Sequence, residues 1–381
     1  MNDSNSAIDR TGTQPLLAVC DVSLSYGNGR RAVNAVSFEL QPGEMGSILG
    51  PSGCGKSTLL RGIAGFEPLH AGSITMNSAT LSSPGNSVAP EKRNIGLMFQ
   101  DYALFPHLSV SQNISFGLRK WKAADRDNRV RSLLMLIDLE GFGDRDPYSL
   151  SGGEQQRIAL ARAIAPKPEL LLMDEPFSSL DVEIRNTLIP EVKRILTQEN
   201  ISTIMVTHNH EIAFSMADKI GIMEKGYVHQ WDVPFNVYHH PLNRFTARFV
   251  GEGEFISADV ISDQMLRSAF GLHAFQNDYG LKRDAQVEIL LRPDDILHDD
   301  ASELTGKVIR KSFRGSHFLY TVRLEDGQSI YCLADSHHNH QLGEHIGLRL
   351  NIEHIVIFEK GQEHAMTRTI APQASSPTSP E

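Results

Sequence analysis

The sequence predicts an α/β domain built on a mainly parallel sheet, followed by a small all-β, OB-like barrel domain. Three observations point to this. From residue 16 to about 245, short apolar runs alternate with helical stretches, the order that builds a parallel sheet with helices on both faces. A glycine-rich loop stands between one of those runs and a helix. From about Val287 onward the pattern changes to period two, with turn signals between short runs, which reads as a barrel.

Taken in order, Met45 to Leu49 is a short apolar run that stops at Gly50, and a helix follows over Ser57 to Ala64. Val130, Leu133, Leu134 and Ile137 recur at helical spacing, with Gly141 as a stop signal. Leu170 to Met173 and Thr203 to Thr207 are continuous apolar runs of buried-strand type. In the second half, Phe318, Tyr320, Val322 and Leu324 alternate with more polar neighbours. Asp326-Gly327 is a hairpin turn signal, and Ser329 to Leu333 is the returning strand. Ile346 to Asn351 and Ile355 to Phe358 read as further strands.

Composition excludes several classes. The chain has 381 residues, enough for two domains, and an ordinary globular share of apolar and charged residues. Its net charge of −10 argues against a general nucleic-acid binder, which needs a basic face. Uninterrupted apolar runs reach five residues, as in Leu16 to Cys20, far short of the roughly 20 needed to span a bilayer as a helix. The polar stretch from Met1 to Gln14 lacks the layout of a secretory signal. Cys20, Cys54 and Cys332 are too few and too scattered for a disulfide framework. The expectation is a chain that stays in the cytoplasm.

Gly50-Pro51-Ser52-Gly53-Cys54-Gly55-Lys56-Ser57 fits G-x-x-x-x-G-K-[ST]. The glycines permit close backbone approach to a phosphate chain, and the loop and helix N-terminus supply convergent N–H donors. Lys56 carries charge to the β- and γ-phosphates, Ser57 offers its hydroxyl to Mg²⁺, and Thr58 follows in the same turn. Cys54 reads as a tolerated small filler of the loop. Leu170 to Met173 runs into Asp174 and Glu175. At the C-terminal end of a parallel strand, Asp174 would reach Mg²⁺ and Glu175 would polarise the attacking water.

Leu150-Ser151-Gly152-Gly153-Glu154-Gln155-Gln156-Arg157 then decides the family. Together with the phosphate loop it resembles the signature of ABC-transporter ATPases, and the chain is similar to them over residues 16 to 250. The resemblance implies a P-loop NTPase domain with a RecA-like core and a helical subdomain. It implies that Ser151, Gly152, Gly153 and Gln155 read the γ-phosphate of an ATP held by a second copy, so that two ATP molecules bridge a homodimer. It places Tyr26 on the adenine, Gln100 beside Mg²⁺ and water, Asp181 in the D-loop Ser178-Ser179-Leu180-Asp181, and His208 on the γ-phosphate. Glu154 stands where close relatives often have Gln, and Asn209 where Asp commonly follows the histidine.

The β-rich part resembles the regulatory barrel of importer ATPases for oligosaccharides, polyamines and ferric iron. The implied organisation is a disordered start over 1–15, the nucleotide domain over 16–250, the barrel domain over 251–360 and a disordered tail over 361–381. The implied partners are a membrane permease and, indirectly, an extracytoplasmic solute-binding protein, with no nucleic acid. The implied location is peripheral, on the cytoplasmic face of the inner membrane. Asp101-Tyr102-Ala103-Leu104-Phe105-Pro106-His107-Leu108 follows Gln100, where the family contacts its permease; an apolar patch exposed there would be a partner surface, and ordinary core is the alternative, above all for Leu104 and Phe105. Phe249-Val250-Gly251-Glu252-Gly253 looks most like ferric-ion importers, so Fe³⁺ is the expected cargo, with a polyamine, a sugar or another solute as the alternative. A non-transport ABC ATPase and an exporter ATPase are competing classes. The single phosphate loop and the barrel count against them. His337, His338 and His340 near Cys332, and His239 with His240, read as solvated loop residues rather than a metal sensor.

Overall fold

The computed structural model describes residues 14–25, 31–178, 180–275, 281–352, 355–361 and 363–364. Two compact units divide between Pro234 and Phe235. The sequence placed its boundary at 250/251, and the helices Pro234–His239 and Arg244–Val250 occupy the interval. The expected disordered start lies almost wholly outside the described residues, as does most of the expected tail.

The first unit is organised by a six-stranded sheet in the order Tyr227–Asp232, Lys219–Glu224, Met45–Leu49, Ser202–Thr207, Leu170–Asp174, Ile95–Met98. All neighbours are parallel except the first pair. Leu170 and Leu172 face one core with Ile48, Ile204 and Val206, while Leu171 and Met173 face the other with Met45 and Met205. A strand covered on both faces must be apolar at every position, which is why these runs show no alternation.

On one face lie the helices Val110–Ser115, Ala123–Leu136 and Gly152–Ile164, whose Ile114, Leu133, Ile158 and Leu160 share a core with Leu171 and Met173. The helix predicted from Val130 and its partners ends before Gly141, because Ile137 leaves helical geometry and Asp138 turns left-handed. On the other face, helix Lys56–Ala64 packs with a separate antiparallel sheet, where the sequence predicts one mainly parallel sheet. Its order is Arg31–Leu40, Leu17–Ser25, Ala71–Met76, Ala79–Ser83, Asn86–Ser87. Val36, Phe38 and Leu40 are buried while Ser37 is exposed, a period-two signal for a sheet with one wet face.

The second unit holds a five-stranded antiparallel sheet, Gly271–Ala274, Met265–Ser268, Glu254–Ser262, Gln286–Leu291, Val356–Glu359, and a closed barrel. The barrel order is Ile296–His298, Ser329–Asp335, His317–Arg323, Thr305–Phe313, His345–Leu350, the last pairing back onto the first. Phe318, Tyr320 and Val322 fill its interior with Ile330, Cys332 and Ile346. Strand structure therefore begins at Glu254, earlier than the period-two signal near Val287. Arg292 is buried at 3% exposure, and its guanidinium donates to the carbonyls of Ala247, Gly251, Glu252 and Tyr238.

Candidate functional site: a phosphate-binding edge of the parallel sheet

Four adjacent parallel strands deliver the predicted residues at their C-terminal ends, where ligands bind in open α/β sheets. The Met45–Leu49 strand leads into the Gly50–Ser57 loop. Ser202–Thr207 leads to His208, Leu170–Asp174 to Glu175, and Ile95–Met98 to Gln100.

The loop is constrained to be thin. A Cβ on Gly50 would lie 2.2 Å from the Met223 carbonyl oxygen, and one on Gly55 2.3 Å from that of Ala32. Gly55 also has φ +112 as it caps helix Lys56–Ala64, a conformation open to glycine and costly for other residues. Pro51, Ser52 and Gly53 are exposed, whereas Cys54 is buried against Gly50. Burial pushes the Cys54 thiol up from its ordinary range despite the nearby Lys56 charge. That makes it a poor thiolate and supports the filler reading.

Lys56 is buried, and its ammonium donates to the carbonyls of Gly50 at 2.7 Å and Pro51 at 3.1 Å. The Ser57 hydroxyl donates to Asp174 Oδ1 at 2.9 Å. Desolvation holds the Asp174 carboxyl above the usual carboxylate range, opposed by the Ser57 hydrogen bond. This hydroxyl–carboxylate pair fits Mg²⁺, a hard ion taking oxygen ligands from a few protein groups plus substrate phosphates. Glu175 lies one residue on, with its backbone N–H donating to Val206 O and φ at +46. Its Oε1 is 2.9 Å from His208 Nδ1. A left-handed glutamate costs about 1–3 kcal/mol, and such strain gathers at functional sites.

Gln100 is exposed at the end of its strand. Thr58 is buried in the first turn of helix Lys56–Ala64. Asp181 caps helix Val182–Gln198 by position, without a side-chain capping bond. Tyr26 and Ser179 lie outside the described residues. Among the described residues, Ser151 and its neighbours make no hydrogen bond to this cluster. Ser151 caps helix Gly152–Ile164, its hydroxyl donating to Glu154 Oε2 at 2.6 Å and its N–H to the same oxygen at 2.8 Å. Those bonds hold the Glu154 carboxyl below the usual range. Gly152 is exposed beside Leu180, Gly153 is buried near Ile184, and Gln155 donates to Leu150 O at 2.9 Å. Asn209 accepts from Ile212 N–H as the cap of helix His210–Met216, a role in which Asn and Asp are equivalent.

The segment after Gln100 divides between core and surface. Tyr102 and Leu104 are core residues at 8% and 5% exposure, and the Phe105 ring packs in a tilted arrangement at 4.3 Å from that of Phe116. Ala103, Pro106 and His107 are exposed, and so is Phe99 just upstream.

Among known families, the ABC transporter family matches residues 33–178 and the TOBE domain family matches residues 289–358. The chain is 38% identical over 328 residues to the spermidine/putrescine import ATP-binding protein PotA of Marinobacter nauticus, covering 83% of this chain and 87% of that one. It is 38% identical over 360 residues to the putrescine transport ATP-binding protein PotG of Escherichia coli, covering 90% and 94%. The chain belongs to the ABC importer ATP-binding subunits that carry a TOBE domain. A solved structure of a Clostridium perfringens subunit of the ABC transporter complex cbiONQ superimposes with a TM-score of 0.55 at 27% identity, over 58% of this chain and 90% of that one.

ATP binding and hydrolysis follow from that membership. The ferric expectation does not, because these relatives are named for polyamines. The structure also gives the motif behind that expectation another role: the carbonyls of Gly251 and Glu252 accept from Arg292. Gly251 and Glu252 thus help to hold the second unit together. Among the described residues, no helix is long and apolar enough to cross a membrane.

Proposed function

We propose that this chain is the ATPase that energises a polyamine importer. It would act as a homodimer on the cytoplasmic face of the membrane, beside a permease fed by an extracytoplasmic solute-binding protein. The observation that carries the mechanism is the pair of contacts at adjacent strand ends, Ser57–Asp174 and Glu175–His208. The cargo class rests on the similarity to the spermidine and putrescine import proteins, which favours the polyamine alternative over Fe³⁺.

In this reading the Gly50–Ser57 backbone and Lys56 hold the triphosphate, and Lys56 exchanges its two carbonyl partners for phosphate oxygens. Mg²⁺, held by Ser57, Asp174 and Gln100, would neutralise phosphate charge. Glu175 Oε1 accepts a proton from the attacking water as its oxygen bonds to the γ-phosphorus and the bond to the bridging oxygen breaks, releasing ADP. His208 holds the Glu175 carboxylate and donates toward the γ-phosphate. Ser151, Gly152, Gly153 and Gln155 of one copy, with Asp181, would close over the ATP of the other. Hydrolysis removes that bridge and the dimer reopens.

The test is uptake of labelled putrescine, spermidine and Fe³⁺ by cells whose sole copy is the wild type or Glu175→Gln. Loss of polyamine uptake alone is the expected result. Loss of Fe³⁺ uptake alone would overturn the cargo reading and leave the ATPase chemistry standing. In the purified protein, Glu175→Gln should retain ATP and lower turnover by roughly 10²–10⁴-fold. Turnover at the wild-type rate would remove Glu175 as the base.

A further inference from the structure

The barrel brings together three histidines that lie far apart in sequence. His298 ends the strand Ile296–His298, which pairs in parallel with Ser329–Asp335 and antiparallel with His345–Leu350. His338 and His340 sit in the loop joining those two strands. Closure of the barrel therefore sets His298 against the loop, and one nitrogen from each ring lies within 4.8 Å of the others.

The ring geometry is convergent. His298 Nε2 faces His340 Nε2 at 3.0 Å, and the His298 ring centroid is 4.6 Å from those of both His338 and His340. The Asp300 carboxylate is also 3.0 Å from His298 Nε2. Nitrogens at about 2.0–2.1 Å from a tetrahedral ion stand about 3.3 Å from one another, close to the observed separation.

The surroundings hold His298 and His340 in place, while the His338 side chain is exposed. His340 Nδ1 lies 2.9 Å from Glu344 Oε1. A proton on Nδ1 donated to that carboxylate leaves the Nε2 lone pair facing His298. This carboxylate–imidazole arrangement fixes the tautomer of metal-binding histidines and raises their basicity. The loop backbone is anchored by Tyr320, which is fully buried: its hydroxyl donates to His338 O at 2.7 Å and accepts from His340 N–H at 3.0 Å. Lys311 donates to His340 O at 2.8 Å. The His298 side chain is only 5% exposed.

We propose that His298, His338 and His340, with Asp300 as an oxygen donor, form a binding site for a divalent transition-metal ion of the zinc class. Three imidazoles suit a borderline ion such as Zn²⁺, and do not make a hard Fe³⁺ site. Cys332 is no member of it. Its thiol is buried among the barrel residues and pushed up to about 12, whereas a metal ligand must be a thiolate. His337 is exposed and stands outside the cluster.

The test is Zn²⁺ titration of the full chain, stripped with a chelator, by calorimetry and metal analysis. One ion per chain is expected, with affinity at least about tenfold weaker in His298→Ala and in His340→Ala and unchanged in His337→Ala. Equal binding by wild type and His298→Ala would overturn the site, as would a loss of equal size in His337→Ala. Co²⁺ titration of the wild type needs no variant. Intense visible bands of a four- or five-coordinate centre are expected, and a six-coordinate spectrum or none overturns the proposal.

Discussion

Glu175 Oε1 and His208 Nδ1 lie 2.9 Å apart, joining the ends of two neighbouring parallel strands. The glutamate side chain is 15% exposed and the histidine 58%, so the carboxylate is sheltered while the ring reaches into solvent. Replacing His208 by Ala should leave ATP affinity nearly unchanged and lower turnover by roughly 10²-fold, the usual loss for one transition-state donor. Steady-state phosphate release against ATP concentration separates the two effects. An unchanged maximal rate would show that the contact is structural only.

Lys56 already spends its charge on two carbonyls, at 2.7 and 3.1 Å. Charge-assisted hydrogen bonds contribute about 1.5–3 kcal/mol each. Lys56→Ala should therefore weaken ATP binding by roughly tenfold to a hundredfold while the fold persists. Calorimetric titration with a non-hydrolysable ATP analogue reads this directly, with circular dichroism as the folding control.

The signature serine is held by a negative neighbour. Ser151 Oγ donates to Glu154 Oε2 at 2.6 Å, and in the proposed dimer the same hydroxyl must turn to a phosphate. Glu154→Gln keeps an acceptor for the cap and removes the charge. The ATP-bound dimer, trapped in a Glu175→Gln background, should form at lower protein concentration. Light scattering with and without ATP measures the midpoint, and a shift to higher concentration would contradict the argument.

Arg93 is 2% exposed and its guanidinium donates to the carbonyls of Val88, Gly62, Ile63 and Leu81 and the hydroxyls of Ser82 and Ser87. Arg93→Ala would strand several buried acceptors, each at about 1–3 kcal/mol. A stability loss of about 2–4 kcal/mol is expected by urea unfolding, with ATP affinity little changed until the protein melts.

Thiol chemistry should follow burial. Cys20 is exposed, Cys54 and Cys332 are buried, and the Cys332 thiol sits at about 12. Its thiolate fraction falls as pH drops below that value, to roughly one part in ten thousand at pH 8. Alkylation followed by mass spectrometry should label Cys20 first and Cys332 only on unfolding.

The parallel sheet and phosphate loop were legible because each strand is apolar throughout and each loop carries short-range chemistry. Helix Gly152–Ile164 carries its own start signal, since its cap, Ser151 with Glu154, sits in the signature motif itself. The antiparallel sheet over Leu17 to Ser87 was harder to separate, because its β-bulges at Val19 to Ser25 break the alternation. Leu104 was ambiguous in sequence for a different reason: an apolar loop residue looks the same whether it covers the core or awaits a partner. The histidine cluster was only half visible. His338 and His340 are neighbours in the chain, but His298 lies 42 residues from His340 and joins them solely through barrel closure.

Arg292 has a practical consequence for dividing the molecule. Its guanidinium holds carbonyls at Tyr238, Ala247, Gly251 and Glu252, all upstream of the strands it belongs with. A chain shortened to end at residue 250 would leave two of those carbonyls behind without their donor, and a fragment starting there would carry a buried cation with half its acceptors gone. Cutting between Pro234 and Phe235 keeps donor and acceptors on one piece. The natural seam for exchanging the β-rich half between relatives is therefore at 234, sixteen residues before the boundary expected from the sequence.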